Sequence, residues 1–149
     1  MSALIITVIG PDRPGLVQAI SDQAAEHGAN WADSLMANFA GQFAGIVRLE
    51  VAPERSETLK AALRMLESPS MQLVVVEAQA SAHLPQTMRR VQLDLVGHDR
   101  PGIIHSISGE LARQGVSIDK LHTHIASGAM SGEQMFHMQA QLSVPAELV

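Results

Sequence analysis

Gly10-Pro11-Asp12-Arg13-Pro14-Gly15 and Gly97-His98-Asp99-Arg100-Pro101-Gly102 are two copies of one hexapeptide, each set between an apolar run and a stretch of helical spacing. The match continues at the same offset, aligning Ile20 with Ile107, Ser21 with Ser108, Ala25 with Ala112 and Gly28 with Gly115. A repeat this long is not a solenoid of short stacked units. It describes two homologous domains that each present the same loop.

Working outward, Ala3 to Ile9 is β-branched and ends at Gly-Pro, so it reads as a buried strand. Its counterpart, Val91 to Val96, alternates Val91, Leu93 and Leu95 with Gln92 and Asp94. After each hexapeptide the period becomes helical: Leu16, Ile20 and Ala24, then Ile103, Ile107 and Leu111. Gly28 and Gly115 stop these helices, because glycine adopts the left-handed closing conformation without a Cβ clash. A hairpin is expected from Asn30–Asn38 and Phe43–Val51 around Gly41. Ser56 is expected to cap a helix carrying Leu59, Leu63 and Leu66, ended by Ser68-Pro69, with Leu73–Val76 as a last strand.

The first unit, residues 1–80, is thus strand, helix, strand, strand, helix, strand, the split βαβ arrangement of ferredoxin-like domains. Residues 81–89, with Pro85, are expected to be a linker. The second unit, 90–149, follows the plan through the alternating strand Phe136, Met138, Ala140, Leu142 and Val144. Pro145–Val149 falls where the second helix is due, so the last helix and strand are expected to be missing from this α+β unit. Either the reading frame continues past Val149, or the apolar surface of the second sheet takes cover from another subunit.

Composition bounds the function. With 149 residues, 46% apolar and 17% charged, the chain can bury a core. The apolar start, Met1 to Ile9, has no basic leader and breaks at Gly-Pro, so it reads as strand rather than signal peptide. No apolar run approaches the roughly 20 residues that cross a bilayer. The chain has no cysteine, which removes disulfides and thiolate chemistry and suits a reducing cytoplasm. A net charge of −5, with scattered Lys and Arg, argues against direct nucleic-acid binding.

Within the loop, proline keeps Arg13 and Arg100 out of the helical region, so Pro14 and Pro101 are expected at the first helical position and the arginines at the cap. Arginine cannot accept from the helix amides, so the first turn is left with donors free for a carboxylate. Gly15 and Gly102 leave room for approach, and Asp12 or Asp99 suits an ammonium group. The pattern fits a free amino acid. It equally fits a strand-to-helix turn that binds nothing.

These two Gly-x-Asp-Arg-Pro-Gly-[Leu/Ile]-[Val/Ile] segments, each opening the first helix of a βαββαβ unit, resemble those of tandem ACT domains, particularly the glycine cleavage system transcriptional repressors. Formyltetrahydrofolate deformylases carry a similar segment near their start. The resemblance implies a non-enzymatic regulatory module, active as a homodimer, that senses a small amino acid such as glycine or serine. It further implies action through a partner transcription regulator of glycine cleavage. By the same resemblance the ligand is held by Gly10, Asp12, Arg13, Gly15 and Leu16, by Gly97, Asp99, Arg100, Gly102 and Ile103, and by a second wall near Asn30 and Ser117. A regulatory part of a folate enzyme such as the deformylase, and a dimerisation module without a ligand, are the alternatives.

The remaining chemistry is sparse. His122 and His124 share a strand face, with His98, His105 and His137 elsewhere in the second unit, but a zinc site wants three or four converging ligands, so no metal is expected. Carboxylates such as Glu26, Glu110 and Glu133 form no catalytic acid pair along the sequence, and no nucleophile motif or phosphate-binding glycine signature is present. Neither catalytic residues nor a cofactor are therefore expected. Met65, Met135, Met138 and Trp31 are read as packing residues.

Overall fold

The computed structural model describes residues 1–11, 14–78, 88–128 and 132–148. The chain divides into two compact units, Met1–Ala82 and His83–Val149. In the first, β1 (Ser2–Pro11), α1 (Leu16–Glu26), β2 (Asn30–Phe39), β3 (Gln42–Val51), α2 (Pro53–Arg64) and β4 (Gln72–Ala78) build an antiparallel sheet of order β2-β3-β1-β4. Each helix crosses over one strand position, which leaves β1 and β3 in the centre. The second contains β5 (Met88–His98), α3 (Ile103–Arg113), β6 (Ser117–Ser127) and β7 (Gln134–Pro145), in the order β5-β7-β6. A single 3-10 turn, Ala146–Leu148, follows. Among its described residues the second unit has no helix and strand equivalent to α2 and β4, and Met88 and Arg89 of the expected linker pair with Pro145 and Val144 as strand.

Alternation fixes the first core. Leu4, Ile6 and Val8 of β1 and Val47, Leu49 and Val51 of β3 point to one face, where Leu16, Ile20, Ala24, Leu59 and Leu63 of the helices cover them. Each large side chain buried there contributes about 1.5–3 kcal/mol. In the second unit, Ile103, Phe136, Met138, Ala140 and Leu142 are buried, while Leu93, Leu95, Ile107 and Leu111 are only partly covered.

The repeat extends to the helix ends. Gly28 N–H donates to Ala25 and Ala29 N–H to Ala24, while Gly115 and Val116 donate to Ala112 and Leu111 in the same pattern. These are Schellman closures. The β2–β3 connection is the two-residue turn Ala40–Gly41, with φ of 50° and 83°, a left-handed pair that suits the twist of a hairpin.

Three local expectations are corrected. Ser56 does not cap α2: Pro53 occupies its first turn behind Ala52, and Ser56 lies buried inside the helix, its hydroxyl 3.5 Å from Glu77 Oε1. Proline preset for helical φ begins the helix four residues earlier than a Ser56 cap would. At the other end α2 stops at Arg64, before Ser68-Pro69, as Leu66 and Glu67 donate to carbonyls three residues back. Met65 therefore falls outside the helix and is 85% exposed rather than packed. Trp31 does pack, in part, against the first core.

An ionic tie joins α2 to β4. Lys60 Nζ lies 2.7 Å from Glu57 Oε1 and 3.1 Å from Glu77 Oε2. Hydrogen bonds to Glu57 and Glu77 hold the ammonium above its ordinary range, and the bond to Lys60 holds the Glu77 carboxyl below its own. Among the described residues, no helix is long and apolar enough to cross a membrane.

Candidate ligand-binding turns

Both helices that follow the repeated hexapeptide start from glycine. Gly15 and Gly102 occupy the N-cap position with φ of 96° and 86°, and neither α1 nor α3 has a side-chain cap or an acidic residue in its first turn. The caps are therefore not the arginines, and Pro14 and Pro101 precede the caps instead of opening the helices. A left-handed residue is needed to swing the chain into the helix, and only glycine takes that conformation without Cβ strain. Among the described residues no side chain caps either start, which carries the positive end of the helix dipole.

Around the second turn the geometry opens. A cavity of about 400 Å³ is lined by Leu95, Gly97, His98, Arg100, Ile103 and Ile107, among others. Three expected binding residues, Gly97, Arg100 and Ile103, thus line one cavity. Asp99 and Gly102 belong to the same turn without lining the cavity. The turn is anchored to the β6–β7 connection, because Asp99 N–H donates to the Gln134 carbonyl at 3.0 Å and His98 Nδ1 lies 3.0 Å from Glu133 Oε2.

Around the first turn the space is smaller. Gly10 and Pro11 line a cavity of about 210 Å³ with Ile9, Gln42, Pro69 and Gln72. Leu16 is not at its surface but in the core, at 2% exposure. Gly15 is exposed. Asp12 and Arg13 lie outside the described residues.

Asn30 and Ser117 sit elsewhere. Asn30 pairs with Glu50, which pairs with Ala3, and Ser117 pairs with Ser143, which pairs with Arg90. Both lie at the end of the sheet where β1 and β5 begin, whereas the turns follow the ends of those strands. Seven strand residues, about 23 Å at the usual rise, separate Ala3 from Gly10. Within one unit, then, neither residue forms a second wall. The helix returning antiparallel to the first strand carries the chain back to the start of the sheet before β2 or β6 begins. The cavity lining is completed by residues that include Leu95, Ser106 and Ile107, of which sequence periodicity signalled Leu95 and Ile107 as apolar positions.

The comparisons with known proteins agree with this architecture. The family profile described as ACT domain matches residues 2–84. A crystal structure of an unknown protein from Galdieria sulphuraria is similar with a TM-score of 0.84 and 28% identity, over 99% of this chain and 84% of that one. A second, described as "putative glycine cleavage system transcriptional repressor", is similar with a TM-score of 0.68 and 19% identity, over 99% of this chain and 83% of that one. No curated protein matches. With its duplicated turn, its β2-β3-β1-β4 sheet and a family match over more than half its length, the chain belongs to the ACT domain family.

Proposed function

We propose that this protein is a non-enzymatic, cytoplasmic regulator, working as a homodimer, that binds a small amino acid of the glycine or serine class. It thereby alters its contacts with a partner transcription regulator of glycine cleavage. The observation carrying this reading is the convergence of Gly97, Arg100 and Ile103 on one cavity beside the uncapped start of α3. The helix amides and the Arg100 guanidinium suit a carboxylate, and Asp99 in the same turn suits the ammonium. The likeness of fold to the repressor-named structure supports the choice of pathway. A ligand that binds one arrangement of the protein more tightly shifts the population toward it, by no more than its differential affinity.

Calorimetric titration with the standard amino acids tests this reading. Saturable heat with glycine or serine is expected, weakened more than about tenfold in Arg100→Ala, the loss of one charge-assisted contact. Neither heat nor thermal stabilisation with any amino acid would defeat it. The motif shared with folate deformylases supports a second reading, a regulatory part of such an enzyme. A catalytic domain in the same reading frame would establish that one. If Asp12→Ala and Asp99→Ala change neither ligand nor partner behaviour, a ligand-free pairing module remains.

A further inference from the structure

Four of the histidines lie along the open face of the second sheet, opposite α3. The register places His124 directly across from His137, which in turn faces Val96, while His122 and Asp94 flank Gln139 one step along. The sequence offered His137 as a candidate with nothing to make it converge on His122 and His124; strand pairing supplies the convergence. The rings of His124 and His137 lie 4.6 Å apart, centroid to centroid, with planes only 5° from parallel, and His122 lies 5.7 Å from His124. A shallow hollow of about 90 Å³ is bordered by these three imidazoles and Asp94. His98 is drawn to Glu133, and His105 is on α3.

We propose that His124 and His137 form a two-point site for a borderline divalent transition metal ion, Cu²⁺, Ni²⁺ or Zn²⁺, with His122 as the third donor. Two imidazoles bound cis through nitrogens at about 2.0–2.1 Å need ring centroids roughly 4.5–5.2 Å apart for bond angles between 90° and tetrahedral. The cross-strand pair is already spaced for this. As they stand, no three such side chains among the described residues are set to hold an ion, and the stacked rings present faces to one another. Turning them edge-on about χ2, a broad and soft torsion for histidine, is the movement binding requires. The ligands project from paired strands, so the backbone contributes no rearrangement. Neutral imidazole selects these metals over Ca²⁺ or Mg²⁺, and the affinity order should place Cu²⁺ first.

The test is titration of the chelator-treated full chain with Cu²⁺, Ni²⁺ and Zn²⁺ at pH 7.5, following heat and the histidine ring resonances. Saturable one-to-one binding is expected, tightest for Cu²⁺, with the resonances of His122, His124 and His137 moving together. His124→Asn and His137→Asn should each weaken it more than about tenfold, His122→Asn less, and His105→Asn not at all. Binding that is absent, or unchanged in the triple variant His122→Asn/His124→Asn/His137→Asn, would overturn the proposal. The substituted positions lie on the open face, so circular dichroism can confirm that each variant keeps its fold.

Discussion

The two units share one repeated turn and differ in their interiors. Leu4, Ile6 and Val8 are fully buried, while of their repeat partners Leu93 and Leu95 are only partly buried and Val91 is 37% exposed. Gly10 is buried, and a Cβ there would meet the Ser70 carbonyl oxygen at 2.4 Å; at Gly97 a Cβ would meet nothing within 4 Å. What differs is α2 and β4, which close one flank of β1 and have no counterpart beside β5. Closely similar turns therefore sit beside a closed core and a cavity of about 210 Å³ in one unit, and beside a looser core and a cavity of about 400 Å³ in the other. Covering elements, rather than the hexapeptide, decide which turn has room for a ligand.

The comparison is most strongly tested by truncating equivalent side chains. Ile6→Ala should destabilise the first unit by about 3–4 kcal/mol, and Leu93→Ala the second by only about 1–2 kcal/mol, since a partly exposed site buries less and leaves a smaller cavity behind. The single tryptophan, Trp31, reports the first unit in denaturant, and amide hydrogen exchange reports the second. Equal losses would break the contrast. The glycine pair should separate next: Gly10→Ala is expected to lower stability by about 2 kcal/mol through overpacking against backbone, and Gly97→Ala by less than about 0.5 kcal/mol. A thermal melt of each variant is sufficient.

The smallest effect belongs to the tie between α2 and β4. Glu77 has its carboxyl held low by Lys60, so its contribution is present above the ordinary value of 4.5 and disappears as pH falls through the lower folded value. Lys60 is held high, so its share persists below 10.5 and disappears as pH rises through the higher folded value. Glu77→Gln should therefore melt below the parent at neutral pH and converge with it in acid, with the second unit unaffected. A gap that widens on acidification would contradict the assignment.

Periodicity made the strands, the helical stripes and the glycine stops legible, because each is a local consequence of backbone geometry. The repeat made the duplication legible. Cap identity was not, because Ser56 and Pro53 compete as helix starters and the fixed φ of proline prevailed. Met65 misled because helical spacing continues past the point where the chain turns. Of the turn, Gly97, Arg100 and Ile103 line one cavity, whereas Asn30 and Ser117 lie at the opposite end of the sheet, which only strand pairing reveals. The convergence of His137 with His122 and His124 is likewise a property of register between distant segments, invisible to any local pattern.

The Ala40–Gly41 turn also sets an order of events. Its two left-handed residues let β2 and β3 zip together with almost no loop to close, whereas pairing β1 with β4 must gather nearly the entire first unit. The hairpin can form in microseconds, and β4 is expected to dock last. Ala40, the one non-glycine residue with positive φ among the described residues, is then the position where asparagine should quicken assembly.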